Sequence, residues 1–137
     1  MVTAREVMTP NVECIGVNDT ITKAAERLRD LGVGSMPICG EDNRLKGMLT
    51  DRDIVIGCIA AGKDPQTTAG EFGHEKPVTI GADDSIDEAI ATMKEHKVRR
   101  LPVIDGHDLV GMVAQADIAR SISDDKVGDL VELISQD

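Results

Sequence analysis

Apolar residues recur along the chain in two rhythms, and their order gives the elements. Ile21, Ala24, Ala25, Leu28 and Leu31 fall at i, i+3, i+4, i+7 and i+10, the stripe of an amphipathic helix. Asn18, Asp19 and Thr20 signal its start, and Gly32 is placed to end it. Before it, Thr3 caps a helical turn over 4–8 stopped by Pro10, and residues 12–15 form a short strand. After it come a strand over 35–39, a polar hairpin loop over 40–44 and a returning strand over 45–49. A second helix follows over 51–61, with Gly62 as its stop.

The same order then returns. Shifted by 65 residues, Thr3, Ala4 and Glu6 meet Thr68, Ala69 and Glu71, and Ile15 and Gly16 meet Ile80 and Gly81. Asp19, Ile21, Ala24, Val33 and Pro37 meet Asp84, Ile86, Ala89, Val98 and Pro102. After one residue is lost in a turn, Leu45, Gly47, Met48, Asp53 and Ile54 meet Leu109, Gly111, Met112, Asp117 and Ile118. The helix of this copy that answers to 21–31 opens with a capping box, Ser85 and Glu88, and carries Ile86, Ala89, Ile90 and Met93 on its stripe. Its hairpin runs through 101–104 and 109–113. The chain is therefore two copies of one β-α-β-β-α unit, residues 1–63 and 68–123, with a further amphipathic helix expected over 126–135, within a tail of 124–137. Three short strands cannot cover an apolar face alone, which explains the pairing.

The stretch Gly47 to Asp53 carries the candidate chemistry. It reads as a strand end, a threonine N-cap and a helix whose third position is an aspartate. Two readings stand. Thr50 and Asp53 cap the helix, or Thr50 meets a phosphate at the helix start while Asp53 accepts hydrogen bonds from a ribose diol.

Composition narrows the class. The 137 residues are 41% hydrophobic and 29% charged, and a net charge of −10 argues against a nucleic-acid surface. With no Trp or Tyr and one Phe, the chain has no base-stacking platform. No apolar run reaches the ~18 residues of a membrane span. The first residues lack a secretory apolar core, so the expected location is cytoplasmic, with export lacking a classical signal left open. No P-loop, HExxH or Ser/His/Asp arrangement is present, and Asp83 with Asp84 and Asp124 with Asp125 sit as helix caps. An enzyme is not expected.

This tandem unit, with Val7 to Pro10, Met36 to Ile38, Gly47 to Asp53, Arg99 to Asp105 and Gly111 to Asp117, resembles the CBS domain, and the pair resembles a Bateman module. The resemblance implies an α/β fold of two CBS repeats packed about a pseudo-twofold axis. It implies clefts for AMP, ADP, ATP or S-adenosylmethionine, a homodimer through the helices around 54–61 and 118–122, and a regulatory or stress-response role through a protein partner. By position, Asp53 holds the ribose, Thr50 meets the phosphate, and Ile15, Gly16, Met36, Pro37 and Ile38 flank the base.

The second copy keeps Asp117 but has Ala114 in place of Thr50, losing a hydrogen bond worth roughly 1.5–3 kcal/mol to a charged group. Arg99 and Arg100 could offset this by charge-assisted contacts, or form salt bridges on an acidic surface. The acidic net charge itself opposes a polyanion, and a structural dimer with vestigial clefts is the alternative. His74 and His107, with Glu75 or Asp108, are candidate zinc ligands if the fold brings them together, and otherwise are solvated loop residues. Under the CBS arrangement Cys14 and Cys39 lie on neighbouring strands, so they are either a disulfide or a buried reduced pair, with Cys58 in the core.

Overall fold

The computed structural model describes residues 1–72 and 77–121. The expected helix over 126–135 and His74 lie outside them. The chain folds as two compact units, one contiguous (residues 13–77) and one in two pieces, residues 1–12 with the chain from 78 onward.

In the contiguous unit, β2 (Ile15–Gly16), β3 (Ser35–Cys39) and β4 (Leu45–Thr50) form a sheet in that order. β2 runs parallel to β3, and β4 antiparallel to it. The strand expected over 12–15 is shifted, because Asn11 turns the chain at a φ of 55° and pairing begins only at Ile15 opposite Ile38. Helix α2 (Ile21–Leu31) is capped by Thr20, whose hydroxyl accepts from the Lys23 amide at 3.1 Å. It is closed by Gly32 at a φ of 66°. Its Ile21, Ala24 and Leu28 are buried beside Ile15, Ile38, Leu49, Ile54 and Cys58, whereas Leu31, at the last turn, is half exposed. Beyond Thr50 the expected α-helix is instead mostly a π-helix, Asp53–Ile59, in which the Ala60 amide donates to the Val55 carbonyl at 2.8 Å.

The two-piece unit holds α1 (Ala4–Val7) and a four-stranded sheet. Its order is β1 (Thr9–Pro10), β7 (Asp108–Ala114), β6 (Arg100–Asp105) and β5 (Ile80–Gly81). Helices α3 (Ile86–His96) and α4 (Gln115–Ala119) complete it. The Ser85 half of the expected capping box is formed, its hydroxyl accepting from the Glu88 amide at 3.2 Å. Ala4, Ile80, Ile86, Ala89, Met93, Leu101, Val103, Val113 and Ile118 form the core. Strand β1 was not expected. It pairs antiparallel with β7, Thr9 opposite Met112 and Pro10 opposite Gly111.

The compact units are offset from the sequence repeats, because the leading segment of each repeat bonds to the turn before the other repeat's long helix. The Ala4 amide donates to the Asp84 carbonyl at 2.8 Å, and by the same geometry Ala69 donates to the Asp19 carbonyl at 2.7 Å. Arg5 adds a side-chain tie, 2.9 Å from Asp105 and 3.5 Å from Asp83. The Asp105 hydrogen bond holds the Arg5 pKa above its ordinary value.

The repeated prolines have a shared explanation. Pro37 and Pro102 each fall one residue before parallel pairing begins, at Ile38 and at Val103, so that ladder does not require their missing N–H.

One difference between the copies is testable. Lys97 ends α3 at a φ of 55°, where Gly32 ends α2. A side chain in this left-handed region costs about 1 kcal/mol. Lys97→Gly is expected to raise stability by about 0.5–1 kcal/mol in denaturant melts, and an unchanged midpoint would contradict this.

Candidate ligand-binding sites

Thr50 and Asp53 close a reciprocal cap. The Asp53 amide donates to the Thr50 hydroxyl at 3.0 Å, and the Thr50 amide donates to Asp53 Oδ2 at 2.9 Å. Both side chains are half-buried. The cap therefore uses one of the two Asp53 carboxylate oxygens, and a carboxylate accepts about four hydrogen bonds in all. Directly across the ladder from Thr50 stands Ser35, which places two hydroxyls side by side on one face. Sequence reading gave Ser35 no role; its register opposite Thr50 is visible only once the hairpin is aligned.

The corresponding place in the two-piece unit is built differently. The Ala114 amide donates to Asp117 Oδ2 at 2.8 Å, and Arg120 holds Asp117 Oδ1 at 2.6 Å. Both oxygens of this carboxylate are thus engaged, where Asp53 engages one in its cap. Opposite Ala114 stands Arg100, exposed at the strand start; Arg99 is also exposed and its carbonyl accepts from the Gln115 amide at 3.0 Å. This place offers a guanidinium where the other offers hydroxyls.

The strand residues assigned to the base behave less uniformly. The side chains of Ile15, Pro37 and Ile38 are fully buried, and Ile15 and Ile38 belong to the core. Gly16 is half-buried, and its amide donates to Asp19 Oδ2 at 2.9 Å while the Asp19 amide returns to the Gly16 carbonyl at 3.0 Å. Gly81 and Asp84 repeat this turn, at 2.9 and 3.1 Å. Asp19 and Asp84 thereby satisfy an amide on β2 and on β5, the strands that end the two sheets. The signal was present as the spacing Ile-Gly-x-x-Asp, found twice.

Cys14 and Cys39 are joined as a disulfide, with Cα atoms 5.7 Å apart. The Arg27 guanidinium donates to the Cys14 carbonyl and lies 3.7 Å from Glu13. Cys58 is a buried free thiol. His107 is exposed at the β6–β7 tip, and among the described residues no group of three or more His, Cys, Asp or Glu could hold a metal ion. The described residues alone therefore do not make a zinc site. No helix among them is long and apolar enough to cross a membrane.

The CBS domain model matches residues 4–57 and 69–124. The chain belongs to the CBS-domain family. This CBS pair is 49% identical to hypoxic response protein 1 of Mycobacterium tuberculosis over 135 residues, 98% of this chain and 94% of the relative. A crystal structure of hypoxic response protein I with two coordinated zinc ions is 52% identical, covering 89% of this CBS pair and all of that chain with a TM-score of 0.84. The CBS domain pair of MJ0100, in complex with 5′-methylthioadenosine and S-adenosylmethionine, is 25% identical. It covers 88% and 94% of the two chains with a TM-score of 0.76.

Proposed function

We propose that this CBS pair is a non-catalytic regulator that binds an adenosine ligand at Ser35, Thr50 and Asp53. The observation that carries this reading is the contrast between two equivalent aspartates. Asp53 spends one carboxylate oxygen on its cap, while Asp117 has both engaged, one by Arg120. The ribose diol donates to Asp53, the two hydroxyls meet the phosphate or the equivalent polar group, and the backbone around Gly16 flanks the base. The adenosine ligands bound to the MJ0100 pair support the ligand class. A protein partner then reads the occupied state. A hypoxia-linked role rests on the relatedness to hypoxic response protein 1. Zinc rests on the metal-bound relative alone, with His74 and His107 as this chain's contributors.

Calorimetric titration with AMP, ATP and S-adenosylmethionine tests the reading. Asp53→Asn keeps an acceptor for the Thr50 amide and removes the charge that makes each diol hydrogen bond worth about 1.5–3 kcal/mol. It is expected to weaken binding at least tenfold, with Arg120→Ala leaving that affinity unchanged. Silence from all three ligands with the wild-type protein would favour a structural dimer with vestigial sites.

The surface of the π-helix favours self-association as a second property. Val55, Ile56 and Ile59 are 56%, 51% and 56% exposed. Of the larger apolar residues expected on a dimer face, Ile54, Cys58 and Ile118 are instead buried in their own units, and Ile122 lies outside the described residues. Val55→Asp combined with Ile59→Asp is expected to turn a dimer into a monomer by light scattering. A wild-type protein that is already monomeric would overturn this.

A further inference from the structure

We propose that the Cys14–Cys39 bond is a reducible switch that sets ligand affinity at the Asp53 site. The inference rests on the ligand reading above. Strand β2 is two residues long, and it is held to β3 through the pairs Ile15–Ile38 and Gly16–Cys39 and through the Val17 amide, which donates to the Cys39 carbonyl at 3.1 Å. Cys39 therefore carries both the end of the ladder and the covalent tie. At the same point the β3–β4 register shifts, between Ile38 and Cys39. A strand with so few bonds depends on its crosslink, and it is the strand that flanks the base. Cutting the bond loosens Ile15 to Val17 and with them that wall.

The two sulfurs differ in setting. Cys14 is half-buried and Cys39 is 4% exposed. A dithiol reductant attacks Cys14 Sγ through its thiolate, breaking the S–S bond, and Cys39 leaves with the electron pair and takes a proton. The reductant's second thiol then closes its own disulfide and releases Cys14 as a thiolate, which takes the second proton. Two electrons and two protons pass from reductant to protein. The Arg27 guanidinium donates to the Cys14 carbonyl, which ties the backbone before β2 to α2 in either redox state. Cys58, buried and bonded to the Lys63 and Asp64 carbonyls at 3.6 and 3.8 Å, takes no part.

Oxidised protein, and the same protein reduced with dithiothreitol, are titrated with AMP, ATP and S-adenosylmethionine. Affinity is expected to fall by about tenfold on reduction and to return on reoxidation, within the usual range of coupling between sites. By reciprocity, saturating ligand then moves the Cys14/Cys39 midpoint about 30 mV more negative, the two-electron equivalent of tenfold. Amide exchange at 15–17 is expected to rise on reduction, a readout that requires no ligand. Equal affinities in both states overturn the switch and leave the ligand reading intact. Binding in neither state overturns both. Alkylation of Cys14 and Cys39 in protein purified without reductant removes the switch outright.

Discussion

Reduction of Cys14–Cys39 is expected to lower the stability of the chain by about 3.5 kcal/mol. The residues are 25 apart in sequence, and a bond closing a loop of that length restricts the unfolded chain by about this amount. The loop contains all of α2, so the free chain loses a large part of its freedom when the bond forms. In a chain of this size the change corresponds to a fall of roughly 10 °C in Tm. The double variant Cys14→Ser with Cys39→Ser should match reduced wild type, and reductant should not move it further. A shift below ~1 kcal/mol in both experiments would mean that the native state gives back the advantage through strain, or that the unfolded chain is already compact there.

Gly111→Ala should cost about 2–3 kcal/mol, within the range for overpacked sites. A Cβ at this position would lie 2.6 Å from Met8 Sδ and 2.7 Å from the Thr9 carbonyl oxygen. Methionine can swing aside, but the carbonyl belongs to β1 and cannot move without breaking the β1–β7 pairing. The expected signature is specific: amides near Thr9 exchange faster, and proteolysis begins at the N-terminal segment. Undisturbed exchange there would show that the backbone absorbs the methyl group.

Periodicity located the elements well where an element had one wet face and one dry one. Helices α2 and α3 and both hairpins lie close to the ranges their patterns give, since burial on one face is what the pattern encodes. The N-terminal segment was less legible. Strand β1 is two residues long, with both exposed and one a proline, and its partner stands about a hundred residues away. Nothing local announces such pairing. The π-helix was hidden for a related reason: Ile54 to Ile59 reads as an apolar helical run, and periodicity over two turns does not separate a widened turn from an α-helical one. At the site, Thr50 and Asp53 were visible as a cap, and the structure shows that cap formed. The engagement of Asp117 by Arg120 needed coordinates, because an i, i+3 pair on a short helix is common and seldom decisive.

The two-piece composition of the second unit has a consequence for how the protein is made. A ribosome delivers residues 13–77 as one continuous run, so the contiguous unit can close as soon as it emerges. Residues 1–12 leave the tunnel before that run and yet wait longer, since Gly111 and Met112, the partners of β1, follow about a hundred residues later. At common elongation rates this interval is on the order of 5–20 s. During that time the nascent chain carries an unpaired segment bearing Val7 and Met8, both of which pack against the core of the unit finished last. A change confined to residues 1–12 therefore acts on the last step of assembly, although that segment is made about a hundred residues before its partners.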